Sequence, residues 1–318
     1  MNSKRQQLQQ WTTVVADTGD LEMIATLAPH DATTNPSLLL AAARDQRYRF
    51  LLDQARELAR EMGNRDDLGW CCDAYACVAG QAVLEQIPGL VSTEVDARLS
   101  FDTVAMVEKA RRLMALYREL GVDSSRVLIK TAATWEGIQA ARTLEEEGIR
   151  CNLTLVFCLE QAVAAAEAGA TLISPFVGRI QDWHVKRGLN IEHIDQDPGV
   201  ESVRRIFHTL KSRGLETIVM GASFRNVEQI QALSGCDRLT ISPALLEELA
   251  SDDGQLTRRL DPAQVEPADS RITMNEAAFR WSLNDNPMAT DLLSEGIRRF
   301  AADQIALENL LSAEEIAA

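Results

Sequence analysis

Lys130 lies in the segment RVLIKTA (126–132), at the end of a short apolar run where a charged ammonium is costly unless it is paired or gives up its proton. A lysine that gives up its proton near neutral pH is a nucleophilic amine, and its characteristic chemistry is a Schiff base with a carbonyl substrate. Taken alone, Lys130 reads sooner as a strand-end side chain snorkelling to solvent. The two readings differ in the company they require: imine chemistry needs proton carriers and polar substrate-holding groups at the same place.

Neighbouring segments supply that company. Side chains alternate along a strand, so residues two apart share a face. Leu128 and Lys130 share one face, with Val127, Ile129 and Thr131 on the other. Asn152 and Thr154 align opposite Leu153 and Leu155, Ser92 aligns with Glu94 and Asp96, Asp31 with Thr33 and Asn35, and a further segment ends at Asp17. In a barrel, inward polar groups near the carboxyl ends of the strands meet at one mouth. Asp17, Asn35, Glu94, Lys130, Asn152 and Thr154 then form a set that ordinary burial does not produce. Two later segments, ISPFVGR (173–179) and MGASFRN (220–226), bring Gly, Ser and Arg together. Glycine lets the backbone approach an anion, serine donates a hydrogen bond, and guanidinium matches phosphate oxygens. Arg179 and Arg225, helped by Ser223, are the phosphate candidates.

Each group also has a plainer reading. Asp17 could cap the following helix, and Asn35 before Pro36 could cap the next. Glu94 and Asp96 could be edge charges or partners of Arg98. Arg179 and Arg225 could form ordinary surface salt bridges. The four histidines (30, 184, 193 and 208) fall in loops or helices, so acid–base work is left to carboxylates.

The elements that must position these residues are eight β-rich segments, at 12–19, 31–36, 91–97, 126–132, 151–157, 171–178, 216–223 and 238–244. Helical patterns lie between them, including 103–120, 136–147, 159–168, 200–213 and 226–234. Eight alternating units predict an α/β fold of the (β/α)8 TIM-barrel type. A doubly wound sheet is the rival, but no GxGxxG turn follows any strand. Outside the repeat lie a helical stretch at 38–86, a polar excursion at 183–199, a polar loop at 251–270 and helices near 275–281 and 287–315. No Pro/Gly/Ser-rich linker divides the chain. The expectation is one barrel domain over 1–318 with a helical extension from about 275, its last helix covering a face or serving a partner subunit.

Composition narrows the function classes. The formal net charge is −15 and no run of Lys and Arg makes the basic face a duplex-binding protein needs. Small anionic substrates remain open, because two placed arginines hold a phosphate in an acidic protein. The six cysteines (71, 72, 77, 151, 158 and 236) show no CxxC or zinc-ligand spacing and read as buried free thiols. The N-terminus has no apolar signal core and no stretch is long enough to span a membrane, so a cytoplasmic protein is expected.

The segments TTVVADTGD, DATTNPSLL, STEVDARLS, CNLTLVF, ISPFVGRI and MGASFRN, with NDNPMA and EGIRRFAADQ near the end, closely resemble the transaldolases of the pentose phosphate pathway. The resemblance implies a (β/α)8 barrel, usually a homodimer, with no metal or organic cofactor. It implies transfer of a dihydroxyacetone unit from sedoheptulose 7-phosphate or fructose 6-phosphate to glyceraldehyde 3-phosphate or erythrose 4-phosphate. Lys130 matches the Schiff-base lysine, Asp17 the general acid/base at C3–C4, and Glu94 with Thr154 the pair that handles protons through a water. Asn35, Asn152 and Ser174 match the residues that hold hydroxyls of the three-carbon unit, and Arg179, Ser223 and Arg225 the phosphate site. Phe176 stands where related fructose 6-phosphate aldolases, which release free dihydroxyacetone, carry Tyr. One departure is Thr131, where the family usually has an aliphatic residue; alternation turns it towards the helices and away from the mouth.

Overall fold

Each β-rich segment forms a strand in the computed structural model, which describes residues 2–63, 67–266 and 274–317, with side chains as far as 312. The strands are β1 (Thr13–Asp17), β2 (Asp31–Thr33), β3 (Val91–Glu94), β4 (Val127–Ala132), β5 (Cys151–Val156), β6 (Leu172–Pro175), β7 (Ile218–Gly221) and β8 (Arg238–Ile241). All pair in parallel and in sequence order, and β8 closes on β1. Helices between the strands return the chain to the same end each time, which is the condition for parallel pairing. The fold is a (β/α)8 barrel with additional helices.

The strands are shorter than their apolar segments because polar residues stop them. Asn35 does not extend β2: it accepts a hydrogen bond from Leu38 N at 3.0 Å and caps the helix Pro36–Arg44. Asp96 does not extend β3: it accepts from Arg98 N at 2.9 Å and caps the 3-10 turn Ala97–Leu99. The stretch at 38–86 resolves into three helices, Pro36–Arg44, Arg49–Glu61 and Leu68–Leu84, with 64–66 outside the described residues. The excursion at 183–199 opens inside a helix, Gly178–Val185, and contains the 3-10 turn Ile194–Gln196. Of the loop at 251–270, residues 267–270 lie outside the described residues.

Inside the barrel, chemistry changes along each inward face. Val15, Leu128, Leu172 and Met220 make a buried apolar layer. Two residues onward, the same faces of β1, β4 and β6 carry Asp17, Lys130 and Ser174. At the amino-terminal end, Asp31 pairs with Arg238 at 2.6 Å, accepts from Leu90 N at 2.8 Å and meets His30 Nδ1 at 2.8 Å. Alternation groups Asp31 with Thr33 and Asn35, but it sits at the opposite end from the mouth and plugs the barrel. Its buried pair with Arg238 satisfies two charges that would each be costly alone.

The outward faces pack on the helices. Val127, Ile129 and Leu153 belong to this main core, and Thr131 shares their side of the sheet, 1% exposed. Its Oγ1 has no hydrogen-bond partner among the described residues. Replacing it by valine removes an unpaired buried hydroxyl at nearly constant shape, so Thr131→Val is expected to stabilise by about 1 kcal/mol and leave turnover unchanged. Denaturant melts and steady-state rates check this; a large loss of turnover would mean that the side chain points into the mouth.

Alternation fails at one place. Leu153 packs outward as expected, but Leu155 has φ +57° and the β5–β6 register shifts between Leu153 and Val156. The left-handed backbone, costly for a leucine, turns Leu155 into a second core with Phe157, Phe176, Ile180, Ile297 and Phe300. That core joins the barrel mouth to the long C-terminal helix Pro287–Ala317. The helix crosses Leu155 at Gly296, where a Cβ would stand 2.6 Å from Leu155 Cδ2, so a larger residue there would displace the leucine side chain. Further along, Asp303 accepts from Ser37 and Glu308 pairs with Arg98, so the helix lies across the mouth.

All six cysteines are buried thiols outside any disulfide. Burial pushes the thiols of Cys72, Cys158 and Cys236 up to about 12, which leaves them unreactive. Among the described residues, no helix is long and apolar enough to cross a membrane.

Candidate active site

A cavity of about 280 Å3 opens at the carboxyl end of the barrel, lined by Asp17, Asn35, Lys130, Thr154, Ser174, Phe176, Arg179, Ser223 and Arg225. Nine of the eleven residues proposed from sequence meet there. Glu94 and Asn152 lie directly behind the wall, where each contacts residues that line it.

Lys130 arrives on β4 opposite Glu94 of β3 and Asn152 of β5. Its Nζ lies 2.9 Å from Glu94 Oε2, a charge contact whose angles fall short of a directed hydrogen bond, and donates to the Thr34 carbonyl at 3.3 Å. Both side chains are under 10% exposed, so the lysine is paired and does not snorkel. Burial raises the pKa of Glu94 against the opposing pull of Lys130 and Arg179, with Asp17 pushing further upward.

Asp17 ends β1 on the same cavity. The cap of the following helix, Leu21–Leu27, is Asp20 instead, which removes the plainer reading of Asp17. Burial raises the Asp17 pKa, opposed by Lys130, by a 3.3 Å hydrogen bond from Thr33 Oγ1 and by Arg179. Two carboxylates that hold protons more tightly than usual therefore flank one amine, the arrangement that general acid–base chemistry requires.

Asn152 is fully buried. Its Nδ2 donates to Ser92 Oγ at 3.0 Å and its Oδ1 accepts from Ser174 Oγ at 2.7 Å, so it reaches the cavity through Ser174. Thr154 Oγ1 is buried without a hydrogen-bond partner among the described residues, a hydroxyl available to a ligand. Asn35 uses Oδ1 for its cap, which leaves its NH2 for the cavity.

The two arginines differ. Arg179 stacks near two rings, 4.8 Å from the Phe176 centroid and 5.8 Å from that of Phe300. Burial lowers its pKa, and the charges of Arg299 and Arg225 lower it further, so this corner is rich in positive charge. Arg225 follows the plainer reading: it forms a salt bridge to Asp182 at 2.8 Å, while Nη1 donates to Ser223 Oγ at 3.2 Å. Ser223 has φ +63°, and a Cβ at Gly178 would stand 2.4 Å from its carbonyl oxygen. The glycine lets this turn close over the start of the helix Gly178–Val185.

Sequence reasoning missed Arg299 and Phe300, which line the cavity from the C-terminal helix. Phe300 also stands 5.9 Å from Lys130 Nζ, ring centroid to nitrogen. Adjacent arginines beside a phenylalanine, one turn after a helical glycine, were the available signal. Nothing local says that this helix folds back over the mouth.

The description "Transaldolase/Fructose-6-phosphate aldolase" belongs to the family model that matches residues 14–311. A Marinobacter nauticus protein named transaldolase is 56% identical over 312 residues, 97% of this chain and 97% of the relative. Transaldolases of Stutzerimonas stutzeri and of a Marinomonas species are each 55% identical over 98% of this chain and 99% of their own length. The cavity chemistry, the closed barrel and these likenesses agree, and the chain belongs to the transaldolase/fructose-6-phosphate aldolase family.

Proposed function

We propose that the protein is a transaldolase that carries a dihydroxyacetone unit on Lys130 from a ketose phosphate to an aldose phosphate. The observation that carries this reading is the buried amine of Lys130 in the cavity, 2.9 Å from Glu94, with Asp17 on the same wall.

Transfer of a proton from Lys130 to Glu94 frees the amine, and burial of Glu94 favours its protonated form. The amine adds to C2 of sedoheptulose 7-phosphate or fructose 6-phosphate. Glu94 returns a proton through a water oriented by Thr154, the C2 oxygen leaves as water, and an iminium remains. Asp17 then takes the proton of the C4 hydroxyl. The C3–C4 bonding pair moves into the iminium, the aldose phosphate leaves, and an enamine stays on Lys130. Glyceraldehyde 3-phosphate or erythrose 4-phosphate enters, the steps reverse, and ping-pong kinetics result. Asn35 and Ser174 hold the hydroxyls of the three-carbon unit, with Asn152 fixing Ser174. Arg179, Ser223 and Arg225 hold the phosphate, with Arg299 nearby.

The second reading is a lyase that releases dihydroxyacetone. Phe176 speaks against it: 7% exposed and edge-on to Phe157 at 5.4 Å, it offers no hydroxyl to activate water against the enamine. Fructose 6-phosphate alone is therefore expected to release dihydroxyacetone at least about a hundredfold more slowly than erythrose 4-phosphate accepts it, a margin in the ordinary range for one acid–base group. Equal rates would assign the lyase.

The same proposal places the enzyme in the non-oxidative pentose phosphate pathway of the cytoplasm, as a homodimer. Exposed Phe101, Val104 and Trp281, each about two-thirds accessible, are apolar surface that a second copy would cover.

A further inference from the structure

Beside the catalytic cavity lies an outer basin of about 620 Å3, and the two share Arg179, Arg225 and Arg299. Asp182, on the helix Gly178–Val185, stands on the wall of this basin. Its Oδ2 accepts from Arg225 Nε at 3.1 Å and from Nη2 at 2.8 Å. The guanidinium edge that a phosphate would grip is thus already taken by a carboxylate. The two side chains are 37% and 42% exposed, so water competes for both and the pair is easily exchanged. Lys186 follows four residues later, where helical spacing puts it beside Asp182, and it lines the same basin.

We propose that Asp182 is a displaceable counter-ion of the anion site. Its carboxylate holds Arg225 while no phosphate is bound, and turns to Lys186 when a phosphate dianion takes the guanidinium. The inference rests on the reading of Arg179, Ser223 and Arg225 as the phosphate site. It makes Asp182 a specificity residue: only a group that outcompetes a carboxylate for a bidentate guanidinium opens the site. A neutral sugar gains nothing from Arg225, and a bound phosphate is released more readily because Asp182 stands ready to replace it.

Inorganic phosphate, titrated calorimetrically into the full chain, tests this without any sugar chemistry. Asp182→Asn is expected to bind phosphate about fivefold more tightly than the wild type, the upper range for one exposed ion pair. Lys186→Met is expected to weaken phosphate binding about threefold in the wild-type background and much less in the Asp182→Asn background, since the two residues act as a couple. Unchanged or weaker binding by Asp182→Asn, or an equal effect of Lys186→Met in both backgrounds, would overturn the proposal. A transfer assay on the wild type keeps the two claims apart. Tighter phosphate binding by Asp182→Asn, with no dihydroxyacetone transfer by the wild type, would sink the reaction and leave the counter-ion standing. Normal transfer without tighter binding would do the reverse.

Discussion

Lys130→Met is expected to lower dihydroxyacetone transfer by at least about 10⁴-fold, the scale seen when a covalent nucleophile is removed. Borohydride added with fructose 6-phosphate should fix a three-carbon adduct on wild-type Lys130 and none on the variant. Mass spectrometry of the 126–132 segment reads this directly, and a wild-type enzyme that turns over without labelling Lys130 would end the Schiff-base reading. The variant also removes the cation beside a buried carboxylate, so folding has to be checked. Burial already raises the Glu94 pKa with Lys130 present, and without Lys130 it rises further. Ionising such a group costs stability as pH rises from its unfolded value through its folded one. Lys130→Met is therefore most stable in mild acid and loses stability towards neutral pH. Lys130→Arg is the control: it keeps a cation beside Glu94 but has no amine to form an imine. It should stay folded at neutral pH and remain inactive.

Asp17→Asn is expected to cost about 10²–10⁴-fold in kcat, the range for one general acid–base group, while imine formation survives. Borohydride would then trap the whole sugar on Lys130 in place of a three-carbon remnant, because the adduct forms but the C3–C4 bond stays closed. A three-carbon adduct on this variant would remove Asp17 from bond cleavage. The pH dependence follows from burial, which raises the folded pKa of Asp17 above the ordinary carboxylate value. Activity needs the ionised form, so the acid limb of kcat/KM, which reports groups of the free enzyme, lies above the ordinary carboxylate range. Stability runs the other way: the wild type loses stability as pH rises from the unfolded pKa to the folded one. Asn carries no such penalty. At neutral pH the variant should melt above the wild type by about 0.5–2 kcal/mol of stability, a difference that closes below about pH 3.9. An inactive variant with raised Tm identifies a group that the fold strains to hold ionised for the reaction.

Much of this site was legible in one dimension because strand alternation is local. A period of two puts Leu128 with Lys130 and Asn152 with Thr154 whatever the rest of the chain does. Closure of the barrel then brings Asp17 and Lys130 to one mouth, with Glu94 behind the lysine. Helix caps were legible in the same way, and Asn35 shows that a capping residue can also line the cavity: its oxygen caps the helix, which leaves the NH2 uncommitted by the cap. Asp96 shows the limit. Its alternation matched that of Glu94, but a hydrogen bond to Arg98 N two residues on ended the strand first.

Sequence by itself thus determined the strand faces, the amine, the carboxylates around it and the family. Tertiary structure decided what depends on distant segments meeting. Leu155 turns out of its strand's alternation and meets a helix some 140 residues later at Gly296. Arg299 and Phe300 reach the cavity by that same crossing. Arg225 is held by Asp182 from a different βα unit. Alternation and capping are enforced within a few residues, by backbone sterics and short-range hydrogen bonds. The lid over the mouth and the occupant of the phosphate arginine are set by packing between segments that share no local rule.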